Sequence, residues 1–317
     1  MAGSAHADCK LLQLAEFHLD PNFRTPTIDG AMNGHPVKIA FDTGASFSMV
    51  TRHDAERLGL TMARLPGVRA YGVGGDTEMY VADIKELRVD KFVKSRMRLE
   101  VAGDADVASD VAVVLGDDFF AQADVELDLA NHVVRLFEPK DCAPEQLIYW
   151  GAAYSQMRLM PWERDSPKAQ VQIEVNGHRI LAALDTGASV SVIDTTVAAA
   201  AGVTRASAGA APGAQIRGEG PHLEDSWIGR FDDVALGDEK VRNVRLQVVP
   251  FLRGFQATET GDLTPRRLDD TPQMFIGADF FSSHRVFLAN HEHLVMFSYV
   301  GGPVFKPDVP EHDSAKP

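Results

Sequence analysis

Asp42-Thr43-Gly44-Ala45-Ser46 recurs in this chain as Asp185-Thr186-Gly187-Ala188-Ser189. Each copy follows an apolar run, Val37 to Phe41 in the first and Ile180 to Leu184 in the second, and each precedes another, Phe47 to Val50 and Val190 to Ile193. Short apolar runs bounded by glycine read as buried strands. A carboxylate on a tight glycine turn between two such strands is held rigidly, partly dehydrated and aimed outward. Two turns of this kind, related by an internal repeat, can set two carboxylates face to face.

The repeat is wider than the pentapeptide. Asn33-Gly34-His35 lies nine residues before Asp42, and Asn176-Gly177-His178 nine before Asp185. Asn-Gly between strand-like residues is a strong hairpin signal. Seventeen residues after each Asp stands a glycine, Gly59 and Gly202. Each follows a short helical stretch, His53 to Leu58 and Thr195 to Ala201, and suits a helix C-cap. Met97 to Val101 then echoes Val244 to Val248, and Val114-Leu115-Gly116 echoes Phe275-Ile276-Gly277. Five landmarks in one order describe a duplicated domain.

The order of strand, Asp-Thr-Gly-Ala, short helix, glycine-rich hairpin and apolar-apolar-Gly resembles the retropepsin-like aspartyl proteases, including bacterial members. The resemblance covers residues 24–138 and 167–299. It implies a mainly β, bilobal acid-protease fold: two pseudo-twofold-related β-barrel lobes with short helices, fused in one pepsin-like chain. Residues 1–23 then form an N-terminal segment, 139–166 an inter-lobe connector and 300–317 a C-terminal tail. Tyr149-Trp150 and Met160-Pro161-Trp162 make the connector apolar enough to be ordered, whereas the tail from Pro303, rich in proline and charge, is expected to fray. The stretch Pro250 to Pro272, with Arg266-Arg267 and Asp269-Asp270, reads as an insertion in the second lobe.

Composition agrees. At 317 residues the chain can hold two lobes with their own cores, and its 45% hydrophobic and 24% charged content is ordinary for a folded protein. A net charge of −14 argues against nucleic acid as partner, because phosphate binding needs a basic face. No apolar run approaches the ~20 residues that span a bilayer, so a soluble protein is expected. Both halves in one chain imply a monomer.

The chemistry follows from the resemblance, which implies one catalytic Asp per unit, Asp42 and Asp185, sharing one proton around a water. Like charges about 3 Å apart cannot both ionise easily, so their titrations split. Thr43 and Thr186 would lock the two loops across the interface, while Gly44 and Gly187 let backbone N–H groups point at the carboxylates. Ser46 and Ser189 complete the loops. Gly116 and Gly277 would pass beneath them, where a side chain would obstruct. Asp118 and Asp279 are expected to brace the next turn. Ala45 and Ala188 stand where pepsins carry a hydroxyl that stabilises the carboxylate, so a mildly acidic optimum is expected. A single Asp-Thr-Gly could be a mere turn cap; the duplication argues otherwise.

Tyr71-Gly72-Val73-Gly74-Gly75 falls where the family carries a substrate-covering flap. It lacks the Lys-Ser/Thr ending of a phosphate loop, and a simple turn is the bland alternative. Arg217-Gly218-Glu219-Gly220 sits at the matching place in the second repeat, although Pro221 and the changed spacing leave that flap open. His291-Glu292-His293 with His284 could suggest a metal, but a hairpin turn explains the cluster, and neither metal nor cofactor is called for.

Cys9 and Cys142 are the only cysteines and bracket the first repeat. In this fold the ends of a lobe approach each other, which makes a disulfide between them plausible; two unpaired thiols are the alternative. Ala5-His6-Ala7 has the form left around a signal cleavage site, and with the disulfide it suggests a periplasmic or secreted protein. The partner expected is a polypeptide. Two functions stand: an endopeptidase cleaving an extended segment, or a silent peptide-binding protein that keeps the cleft.

Overall fold

The computed structural model describes residues 9–103, 110–160, 169–218, 220–252 and 271–309. The insertion residues 253–270, with Arg266-Arg267 and Asp269-Asp270, lie outside them, as do Pro161-Trp162. Almost all of the regular structure is β.

Each Asn-Gly pair makes the hairpin its sequence signals. Asn33 and Gly34 have φ of 51° and 82°, Asn176 and Gly177 49° and 75°, the two left-handed residues a tight hairpin turn requires. The asparagine side chains add a second tie. Asn33 Oδ1 accepts from the N–H groups of Lys85 and Glu86, and Asn176 Oδ1 from those of Asp232 and Asp233.

Those hairpins open two seven-stranded sheets with the same strand order. In the first lobe Thr27–Met32 pairs with His35–Phe41, which runs parallel to Val113–Leu115; Met49–Thr51, Phe92–Ala102, Gly75–Val89 and Met62–Gly72 follow. Thr27–Met32 also pairs with Gly75–Val89, closing six of the strands into a barrel. In the second lobe the order is Gln170–Val175, His178–Leu184, Met274–Ile276, Val192–Asp194, Glu239–Val249, Trp227–Leu236 and Ala211–Pro212, closed by Gln170–Val175 on Trp227–Leu236. Short helices Arg52–Arg57 and Thr195–Ala200 are capped by Thr51 and Asp194 side chains. Gly59 and Gly202 take the left-handed position just past them.

A third sheet of six strands ties the lobes together. Its order is Lys10–His18, Val133–Lys140, Asp124–Asp128, His284–Ala289, Leu294–Tyr299 and Ser155–Arg158. The lobes meet where Val125 pairs with Leu288 and Leu127 with Val286. The N-terminal segment and the connector each donate an edge strand, so both belong to the fold. Glu126, fully buried beside that seam, accepts from Arg135 of one half at 2.7 Å, from Arg285 of the other at 2.9 Å, and from Tyr149 of the connector. Burial first, then the bond to Glu126, pushes the Tyr149 hydroxyl up to about 12. A buried carboxylate needs such company, because an unpaired one would cost several kcal/mol.

Cys9 and Cys142 form a disulfide across the edge of this sheet, beside the pairing of Lys10 with Lys140. Of the tail, residues 310–317 lie outside the described residues, and the part before them is packed. Val304 and Phe305 pack on the core and Phe305 stacks near Phe280 at 6.3 Å, so apolar contact holds residues that composition marks as fraying.

Candidate active site

Asp42 and Asp185 each leave the end of a buried strand, after Phe41 and Leu184. Their own N–H groups are tied to the neighbouring parallel strand, Asp42 to Leu115 O at 2.9 Å and Asp185 to Ile276 O at 2.8 Å. The next residues cross between lobes. Thr43 Oγ1 donates to Leu184 O at 2.6 Å and accepts from Thr186 N–H at 3.1 Å. Reciprocally, Thr186 Oγ1 donates to Phe41 O at 2.7 Å and accepts from Thr43 N–H at 3.1 Å. Both threonines are buried. Each lobe thus fixes the strand end that carries the other lobe's carboxylate.

The glycines finish the approach. A Cβ on Gly187 would lie 2.3 Å from Asp42 Oδ2, and one on Gly44 2.5 Å from Asp185 Cγ. Any side chain there would displace the facing carboxylate. The two acids therefore sit against the opposite turn, where the lobes meet.

Their surroundings differ. Asp42 Oδ1 accepts from Gly44 N–H at 2.8 Å and Ala45 N–H at 3.1 Å, while Asp185 Oδ1 accepts from Ala188 N–H at 3.0 Å. Burial raises the Asp42 carboxyl above its ordinary range, and the backbone N–H groups pull part of that back. Asp185 is pushed well above its range, first by burial and then by the negative charge of Asp42. Hydrogen bonds to the charged form favour it, and Asp42 has two such backbone donors where Asp185 has one.

Beneath the loops, a Cβ on Gly116 would lie 2.6 Å from Phe47 O, and one on Gly277 2.6 Å from Val190 O. The backbone passes too close for a side chain. Asp118 and Asp279 brace the loops rather than a following turn. Asp118 Oδ1 accepts from both the N–H and the hydroxyl of Ser48, at 2.6 and 2.7 Å; Asp279 Oδ1 does the same for Ser191, at 3.0 and 2.6 Å. Each serine oxygen then accepts from the glycine below, Gly116 N–H at 3.1 Å and Gly277 N–H at 2.9 Å. Ser48 and Ser191 are site residues that the motif reading passes over. A signal for them exists, because the repeated string continues as Asp-Thr-Gly-Ala-Ser-x-Ser in both copies. Ser46 and Ser189 are half-buried beside the loops.

Met62–Gly72 and Gly75–Val89 form a long hairpin in which Gly72 pairs with Gly75, leaving Val73 and Gly74 at the tip. The second lobe has a shorter counterpart, a loop closed by the bridge between Ile216 and Glu224, with Arg217, Gly218 and Gly220 at its end. Glu219 lies outside the described residues. Pro221 offers no N–H and a fixed φ, which suits a loop better than a ladder. The tips meet: Gly220 N–H donates to Val73 O at 3.0 Å and His222 N–H to Gly74 O at 3.2 Å. A Cβ on Gly220 would lie 2.0 Å from Gly74 C, so this contact is open only to glycine.

The histidines considered as metal ligands go separate ways. His284 is buried, stacked on Phe280 at 4.1 Å and bonded to Glu239 at 3.0 Å, whereas His291 bonds Asp124 at 2.8 Å. Among the described residues no group of three or more His, Cys, Asp or Glu could hold a metal ion, and no helix is long and apolar enough to cross a membrane.

A duplicated Asp-Thr-Gly floor under paired flaps defines a class, and comparison with known proteins agrees. The sequence profile of the aspartyl protease family matches residues 28–119 and again 171–280. The chain belongs to the aspartyl protease family, whose pattern it carries twice in one polypeptide. Among curated proteins nothing matches the chain. Among solved structures, the crystal structure of a retropepsin-like aspartic protease from Rickettsia conorii aligns at 16% identity, covering 42% of this chain and 94% of that one with a TM-score of 0.28.

Proposed function

We propose that this protein is an aspartic endopeptidase that hydrolyses a peptide bond in an extended polypeptide segment, using water held between Asp42 and Asp185. The observation that carries this is the crossed floor, where each carboxylate lies buried against the other lobe's glycine turn. Two carboxylates so placed cannot both ionise easily, which supplies a base and an acid at one pH.

In the reaction, ionised Asp42 takes a proton from the water as its oxygen attacks the scissile carbonyl carbon. Protonated Asp185 gives its proton to the carbonyl oxygen, forming a neutral tetrahedral diol. Collapse reverses the roles: Asp42 delivers its proton to the leaving nitrogen, Asp185 recovers one from the diol, and the C–N bond breaks. Both groups end as they began. The substrate main chain pairs with the flap backbone by strand addition, and the flaps must part for it to enter. Ala45 and Ala188 give the carboxylates N–H groups but no hydroxyl, which supports a mildly acidic optimum; a rate still climbing below pH ~3 would contradict that, since one missing hydrogen bond moves a carboxyl by about one pH unit. One chain carries both halves, so the monomer suffices. The Cys9–Cys142 disulfide supports an oxidising compartment, periplasmic or extracellular. Recovery of both thiols free from cells would argue against it.

The test is cleavage of denatured casein between pH 3 and 7 by wild type, Asp42→Asn and Asp185→Asn, with a statine-type inhibitor as a further arm. Loss of activity in both variants is expected. Activity surviving either substitution removes the shared dyad, and folded wild type that retains casein uncut would favour a peptide-binding role instead.

A further inference from the structure

The segment from Pro303 to Val309 touches floor, roof and both lobes. Lys306 N–H donates to Asp279 Oδ2 at 2.9 Å, on the carboxylate whose other oxygen holds Ser191 beneath the Asp185 loop. Two residues on, Asp308 N–H donates to Gln247 Oε1 at 2.9 Å, and Asp308 O accepts from Ala214 N–H, at the base of the second flap, at 3.2 Å. Gln247 is buried and its amide donates to Ala214 O at 3.1 Å and Ser226 Oγ at 2.7 Å, so the same side chain holds the flap base and the segment. Finally the Asp308 carboxylate pairs with Arg24 of the first lobe at 2.6 Å. Arg24 stands just before Pro26, whose carbonyl accepts from Phe41 N–H beside Asp42.

A chain bonded at once to the loop-bracing Asp279, to the flap base and to the opposite lobe runs from one lobe to the other alongside the site. A cavity of about 260 Å³ opens beside it, lined by Ser189, Val190, Arg24, Pro26 and Lys306. Asp308 thus holds a side chain with its N–H and the Ala214 main chain with its carbonyl.

We infer that residues 303–309 form a strap that plugs one end of the substrate cleft, latched by Arg24 and Asp308, so that a polypeptide extending past that end must displace it. The inference rests on the peptidase reading of the same cleft. The half-exposed Arg24–Asp308 pair is a weak, salt-sensitive tie, which suits a latch that opens. The strap therefore sets how long a segment the cleft accepts, independently of the chemistry at Asp42 and Asp185.

The experiment compares full-length wild type, Arg24→Ala and Asp308→Pro; the second removes carboxylate and N–H together. Two probes are used: denatured casein and a hexapeptide spanning its most frequent cleavage site. Both variants should raise kcat/KM on casein several-fold, mainly through KM, with the hexapeptide unchanged. Equal casein kinetics in all three proteins, or a hexapeptide response as large as the casein response, would overturn the strap. If Asp308→Pro fails to fold, the surface variant Arg24→Ala decides alone. If no form cleaves either probe, the peptidase reading falls while anisotropy of fluorescein-labelled casein still decides: tighter binding without the latch supports the plug, equal binding refutes it.

Discussion

Replacing Thr43 with Val keeps the shape of a buried side chain and removes one hydroxyl. That hydroxyl makes two bonds across the lobe interface, to Leu184 O at 2.6 Å and from Thr186 N–H at 3.1 Å. Thr43 and Thr186 are only 3% and 0% exposed, so water does not replace what is lost. Each buried group stripped of its partner costs about 1–3 kcal/mol, giving about 2–6 kcal/mol for the two groups. At ~2–4 °C per kcal/mol, the melting temperature should fall by roughly 4–24 °C. Catalysis should fall as well, because the Leu184 strand end carries Asp185. The assay is differential scanning calorimetry with casein cleavage at a temperature where both proteins stay folded. Thr43→Ser, which keeps the hydroxyl and drops the methyl, should retain most of both properties. A Thr43→Val protein that melts within a degree or two of wild type and cleaves normally would refute the cross-lobe lock. Serine as damaging as valine would move the cause from the hydroxyl to packing.

Asp185→Asn should gain stability over wild type as pH rises. Burial and the Asp42 charge raise the folded-state pKa of Asp185. Wild type therefore carries no ionisation penalty below the unfolded value near 4 and progressively more above it, at ~1.4 kcal/mol for each tenfold difference in proton affinity between the folded and unfolded chains. Melting curves at pH 4 and 7 check this; a difference that is constant or reversed would refute it. Cys142→Ser should lower the urea midpoint, since the disulfide closes a loop with a sequence separation of 133, for which chain entropy sets a limit of about 5 kcal/mol. Identical midpoints with and without reductant would show that the bridge does not hold the sheet edge. Gly74→Ala should leave the fold intact but raise KM, because its Cβ would fall 2.3 Å from His222 O; an unchanged KM would mean the tips need not touch in catalysis.

The repeated landmarks are enough to place Asp42, Asp185, both hairpins and both helices, because each depends on local chemistry: an Asn-Gly turn, a glycine C-cap, an apolar run. What escapes a reading of the sequence is non-local. Ser48 and Ser191 matter only because Asp118 and Asp279 return beneath them 70 and 88 residues later. Composition marks the stretch from Pro303 as fraying, yet within its described part Val304 and Phe305 find an apolar surface and Asp308 finds Gln247, 61 positions back. The second flap sits between these cases. Pro221 and the spacing argue against a long hairpin, and the structure shows a short loop that still reaches its partner.

The crossing of threonines and glycines between lobes has a consequence for dilution. Neither half holds a finished site, since each carboxylate is positioned by the other half's turn. In a protease built from two separate chains, such halves part when the enzyme is dilute. Here the connector, itself a strand of the shared sheet, keeps one half in the presence of the other at an effective concentration of about mM or more. Activity per molecule should then hold constant however far the enzyme is diluted, and the two halves, never exchanged for one another, are free to specialise, one with the long flap and the other with the strap.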